Sequence, residues 1–151
     1  RIIHVTRHGV DVASSLQTRS NKNWEEDESR FSKWLKMYRW KDSKSPIRRG
    51  QRAATLSHAF DFWSEHMEVE KKNLEECEFV LEVRYEDLLT TPKLAIKQIW
   101  NFIEIEGDDS LLEDISQSID GSRAYAYKKD EEMKSFALEN RETLEIFGYL
   151  P

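Results

Sequence analysis

At 151 residues, with 38% hydrophobic side chains, 11% aromatic and five tryptophans, the chain is one domain or a large piece of one and too rich in core formers to be disordered. Its net charge of −6 hides an asymmetry: residues 1–60 carry 13 Lys/Arg against 6 Asp/Glu, or +7, while residues 61–151 carry 10 against 23, or −13. A basic first part beside an acidic remainder fits a local site for an anionic ligand better than a nucleic-acid surface, which needs a broad basic face; two solvated faces are the bland alternative.

One cysteine, Cys77, permits no internal disulfide and leaves the compartment open, with the cytoplasm favoured for the chain as given. No stretch reaches the length of a transmembrane span, and Arg1 to His4 is too short and wrongly patterned for a signal peptide.

Ile2 to Val5 reads as a short buried strand, broken by Thr6, Arg7, His8 and Gly9. A helix follows, with Val10, Val12, Ala13 and Leu16 on its apolar face and Asp11 complementing the positive end of its dipole. Such a strand-turn-helix leaves unpaired backbone N–H groups at the strand's carboxyl end, where open α/β sheets bind anions. Arg7 sits there, and Ser15 follows eight residues later; a guanidinium and a hydroxyl suit a phosphate, while a surface Arg and a solvent-facing Ser are the ordinary alternative. The Ile-Ile-His-Val pattern suits an interior strand of a parallel sheet, which leads us to expect further sequence before Arg1.

Ser20 to Asn23 reads as a turn, and Trp24 to Glu28 as the acidic start of a helix carrying Phe31, Trp34, Leu35 and Tyr38. Lys41, Lys44, Arg48, Arg49 and Arg52 around Pro46 and Gly50 form a basic loop. Trp24, Trp34, Tyr38 and Trp40 suit either a platform for a sugar or lipid or plain core. From Arg52 to about Lys72 a long helix carries Leu56, Ala59, Phe60, Trp63 and Met67 on one face, leaving His58 and His66 as surface or capping residues.

Glu78 to Tyr85 is the second strand. Thr91 as N-cap and Pro92 at the first turn start a helix to about Ile103, closed by Gly107. Asp108 or Asp109 caps a short helix to Ile119, residues 120–129 form a loop, and Asp130 caps a last helix stopped by Gly148.

Two strings resemble the PAPS-dependent sulfotransferases. Strand-Arg7-His8-Gly9-x-Asp11-Val12-x-x-Ser15 is similar to that family's 3′-phosphate-binding segment, and Val83-Arg84-Tyr85-Glu86-Asp87-Leu88-Leu89 to the strand end whose Tyr contacts the adenine. The resemblance covers nearly the whole chain and is loosest between residues 20 and 75. It implies an α/β fold, a P-loop-NTPase-like parallel sheet flanked by helices, here as an incomplete, helix-rich C-terminal portion. The chain then reads as a single sulfotransferase-like domain over 1–151, with 20–52 as a variable aromatic and basic insertion.

The resemblance further implies 3′-phosphoadenosine 5′-phosphosulfate (PAPS) as sulfuryl donor, a hydroxyl or amine acceptor (carbohydrate, lipid, peptide or small molecule), no metal and no nucleic acid. Arg7 and Ser15 would hold the 3′-phosphate and Tyr85 the adenine. The alternative for Tyr85 is packing under the next helix while Arg84, Glu86 and Asp87 pair at the surface. The family's C-terminal donor loop falls at Arg123 to Lys129, making Arg123, Tyr125 and Lys128 candidates, although no Arg-Lys-Gly string occurs there. A Gly-rich phosphosulfate loop and a base for the acceptor are not found, so this chain by itself is expected to be inactive, and none of His4, His8, His58 and His66 is assigned as base. A non-catalytic nucleotide- or protein-binding module is the alternative function, and oligomeric state is left open.

Overall fold

The computed structural model describes residues 1–26 and 53–151. Their fold is α/β and helix-rich, with one small parallel sheet of β1 (Ile2–Thr6) and β2 (Val80–Arg84). The register runs from Ile2↔Val80 to Thr6↔Arg84, a constant offset of 78 residues. A parallel pair needs a crossover, and α1 (Gly9–Glu26) and α2 (Leu56–Glu75) lie between the strands in sequence. Val83 is buried, but Ile2, Ile3 and Val5 are exposed, contrary to the buried first strand that the sequence predicts. Among the described residues each strand pairs with one neighbour.

The described chain forms two compact units, residues 9–67 and residues 1–8 with 68–151. In the first, Val10 and Ala13 of α1 and Ala59, Phe60 and Trp63 of α2 are buried. A Cβ on Gly9 would lie 2.6 Å from the Trp63 ring and 2.8 Å from Phe60, so the residue that breaks the strand is also the one the aromatic core requires to be small. The turn expected at Ser20 to Asn23 does not form. No Gly or Pro interrupts residues 10–26, and each further helical residue adds a hydrogen bond once the helix is nucleated, so α1 runs on to Glu26. Trp24 to Glu26, expected to begin a new helix, continue α1; the rest of that expected aromatic helix and the basic loop to Arg52 lie outside the described residues, as does the side chain of Trp24.

α2 begins at Leu56 rather than Arg52, because the His58 N–H donates to the Thr55 hydroxyl (3.2 Å) and fixes the first turn there. His58 and His66 are exposed.

In the second unit β2 passes directly into α3 (Tyr85–Thr90), a short helix the sequence reading left as a connection. α4 (Pro92–Ile103) starts at the expected residue and buries Ala95 and Ile96. Thr91 does not cap it: its hydroxyl donates to the Asp87 carbonyl (3.1 Å), satisfying the end of α3 instead. Nor does Gly107 close α4. Glu104, at φ 59°, takes the left-handed position, while the Ile105 N–H returns to the Trp100 carbonyl.

Asp108 caps α5 (Asp109–Ser118), as one of the two expected candidates. Residues 120–129 contain two short 3-10 turns, Gly121–Arg123 and Ala126–Lys129. Asp130 accepts from the Glu132 and Met133 N–H groups to cap α6 (Glu131–Glu139).

The single last helix of the sequence reading is two helices. The Asn140 amide donates to the Phe136 carbonyl (2.8 Å), competing with the helix ladder, and α7 (Arg141–Ile146) starts afresh. Gly148, at φ 75°, ends α7 with N–H bonds from Gly148 to Glu145 and from Tyr149 to Leu144, both 2.9 Å. No described helix is long and apolar enough to cross a membrane.

Candidate functional site

The sheet offset persists beyond the strands. After Thr6↔Arg84 come Arg7 beside Tyr85 and His8 beside Glu86, joined through side chains. The Arg7 guanidinium carbon stands 5.0 Å from the Tyr85 ring centroid, a cation–π contact that orients the planar group without using its N–H donors. Its Nε is buried and finds no hydrogen-bond acceptor among the described residues. A half-buried guanidinium has the charge and the planar set of donors that can pair with an oxyanion.

The His8 backbone N–H donates to Glu86 Oε1 (2.9 Å). This corrects two readings: that N–H at the strand-helix turn is not open for an anion, and Glu86 is fully buried rather than a surface partner. The His8 ring lies flat on Tyr127 (centroids 4.1 Å apart, planes at 12°) and edge-on to Tyr149 at 5.3 Å and Tyr125 at 6.2 Å. Its Nε2 is 3.1 Å from the Leu150 carbonyl, which only accepts, so Nε2 carries the proton. Burial, aided by the nearby charges of Lys128 and Arg7, lowers the His8 pKa to about 4, so the imidazole is neutral at pH 7.

The last residues close over this ring. The Tyr149 hydroxyl donates to Thr6 Oγ1 (2.9 Å), the Tyr127 hydroxyl to the Leu150 carbonyl (3.3 Å), and Arg84 Nη2 to the Gly148 carbonyl (2.7 Å). Arg84 also stands 5.2 Å from the Tyr149 ring centroid. Burial pushes the Tyr149 phenol up to about 12, and burial together with Glu86 and Asp87 raises that of Tyr125, so both are neutral donors at pH 7.

Of the residues singled out from the sequence, Arg7 and Tyr85 touch. Tyr125 and Lys128 also meet, the ammonium 5.0 Å from that ring and 5.6 Å from the Tyr127 ring. Tyr125 holds φ 49°, a strained value for a bulky residue, at the start of the second 3-10 turn. Arg123 is exposed and helps to lower the Asp120 pKa, after the larger effect of the Ser122 hydrogen bonds. Ser15 lies on α1 in the unit of residues 9–67, with its side chain exposed.

The sequence reading did not assign His8, Glu86, Tyr127 or Tyr149 to the site. His8 and Glu86 stand inside the two strings, and the 78-residue offset that pairs them needs the strand register first; no sequence signal pointed to Tyr127 or Tyr149, which meet His8 only through the tertiary fold. An open cavity of about 220 Å³ is lined by Tyr127, Lys128, Lys134, Leu138 and Pro151. Among the described residues no group of three or more His, Cys, Asp or Glu side chains is placed to hold a metal ion.

A protein-family model described as a sulfotransferase domain matches residues 1–146. No curated protein and no solved structure matches the chain.

Proposed function

The chain belongs to the sulfotransferase domain family, and on that premise we propose that it binds the nucleotide donor PAPS in a P-loop-NTPase-like fold, for sulfuryl transfer to a hydroxyl or amine acceptor. In such a transfer the acceptor loses its proton, a bond forms from its oxygen or nitrogen to sulfur, and the bond from sulfur to the donor's 5′-phosphate breaks. The departing nucleotide is adenosine 3′,5′-bisphosphate. The residues of this chain supply binding and orientation: Arg7 for the 3′-phosphate, Tyr85 for the adenine, and Tyr125 and Lys128 for the donor's other contacts. Ser15 is assigned by its sequence string and Arg123 by its place in the donor loop that the resemblance implies, without a contact that adds to either.

The observation that carries this reading is Arg7, held by the Tyr85 ring with a buried Nε that lacks an acceptor among the described residues. An arginine so held meets a dianionic phosphate with little reorganisation. Calorimetry tests it. Arg7→Ala should weaken adenosine 3′,5′-bisphosphate on the order of fiftyfold, the loss expected for hydrogen bonds to a charged group, and leave 5′-AMP nearly unchanged. Equal losses for the two nucleotides would remove Arg7 from the 3′-phosphate.

A further inference from the structure

His8 is the most enclosed titratable ring of the 1–8 and 68–151 unit, yet nothing in the proposed donor contacts uses it. It is fully buried, and groups from three parts of the chain converge on it. The Glu86 carboxylate of α3 takes its backbone N–H, the Tyr127 ring of the second 3-10 turn stacks on its face, Tyr149 meets its edge, and the Leu150 carbonyl takes its Nε2 proton. The next residue back is Arg7.

We propose that His8 is a positioning residue that ties the Tyr149-Leu150 segment to the Arg7 turn, and so holds the Arg7 guanidinium over Tyr85 for an incoming phosphate. Two bonds make the coupling specific. Nε2 to the Leu150 carbonyl anchors one side of the turn, and the Tyr149 hydroxyl to Thr6 anchors the residue before Arg7. The Tyr127 hydroxyl shares the Leu150 carbonyl, so the same segment also fixes the ring beneath His8. Residues 148–150 are then part of the anion site although none of them needs to touch the anion. This rests on the reading of Arg7 as the phosphate ligand, and the test separates the two.

Three variants of the full chain, His8→Phe, His8→Gln and Tyr149→Phe, are compared with wild type and Arg7→Ala. Phenylalanine keeps the stacking on Tyr127 and loses the Nε2 donor, whereas the glutamine amide retains a donor at that end. The first readout needs no ligand: the NMR signal of the Arg7 side chain, shifted by the Tyr85 ring. It should move toward its unstacked position in His8→Phe and return in His8→Gln.

The second readout is the preference for adenosine 3′,5′-bisphosphate over 5′-AMP by calorimetry. It should fall about tenfold in His8→Phe, be largely restored in His8→Gln, and fall two- to threefold in the milder Tyr149→Phe, which cuts only the bond to Thr6. His8→Phe should cost nothing further in the Arg7→Ala background, since both act on one contact. An unmoved Arg7 signal in folded His8→Phe, additive losses with Arg7→Ala, or equal weakening of both nucleotides overturns the coupling. If His8→Phe does not fold, an unmoved Arg7 signal and preference in Tyr149→Phe do so. If Arg7→Ala leaves the preference unchanged, the phosphate assignment fails, and the Arg7 signal alone decides the positioning role.

Discussion

Arg7 and Tyr85 form the first rung beyond the parallel sheet, their guanidinium and ring 5.0 Å apart at the same 78-residue offset that joins Thr6 to Arg84 and His8 to Glu86. The hydrogen-bond ladder stops at Thr6, but its register is carried two residues further by a cation–π contact and a side-chain-to-backbone bond. Arg7, the proposed phosphate ligand at the end of β1, thus gains a support on the continuation of the neighbouring strand.

The nature of that support predicts the behaviour of Tyr85. Tyr85→Phe keeps the ring under Arg7 and should bind adenosine 3′,5′-bisphosphate within about twofold of wild type, whereas Tyr85→Ala should lose about tenfold, the scale of a partly desolvated cation–π contact. Titration calorimetry on both variants checks it; a Phe variant as weak as the Ala variant would place the effect in the hydroxyl instead.

Glu86 is a buried carboxylate with a defined acceptor role. Glu86→Ala removes the oxygen that takes the His8 N–H and should cost roughly 1–3 kcal/mol in urea unfolding. Glu86→Gln keeps an amide oxygen there and should cost less than half as much.

Acid should destabilise the fold through His8. The ring faces the charges of Arg7 and Lys128, the rings of Tyr125, Tyr127 and Tyr149, and the Leu150 carbonyl, while Glu86 binds its backbone N–H. Its pKa falls from 6.5 to about 4 on folding, chiefly by burial, so between those values the unfolded chain binds more protons. This contribution is fully present above pH 6.5, is lost as the pH falls toward 4, and amounts to on the order of 3 kcal/mol. Exposed Glu104, Glu113 and Asp120, whose pKa values are lowered by their partners, lose their smaller contributions at more acidic pH. Unfolding curves at pH 7.5, 5.5 and 4.5 should therefore diverge between wild type and His8→Gln, with wild type the more pH-sensitive.

Gly9 sits against the aromatic core of the 9–67 unit. Gly9→Ala places a methyl 2.6 Å from the Trp63 ring and should cost roughly 1–3 kcal/mol, the range of overpacked cores. Thermal unfolding measures it, and an unchanged midpoint would mean that Trp63 and Phe60 shift freely.

Local signals are legible without the fold. Pro92 opens α4, Asp108 and Asp130 supply caps, Gly148 ends α7, and the apolar spacing of Ala59, Phe60 and Trp63 marks the buried face of α2, because each depends on chemistry within a turn or two of chain. Competing local bonds defeat the same logic elsewhere. Thr91 turns back to α3, Glu104 takes the left-handed position expected of a glycine, and Asn140 splits the final helix.

The sequence by itself determined the family resemblance, the α/β class, and Arg7 and Tyr85 as residues of interest in two separate strings. The tertiary structure decided that those two residues meet, that Glu86 is buried to take the His8 N–H, and that His8 lies within Tyr125, Tyr127, Tyr149 and Leu150. The physical reason is range: caps and helix faces are set by neighbours three or four residues away, whereas contacts across 78 or 142 residues exist only after the strand register and the last turn of the chain have been fixed.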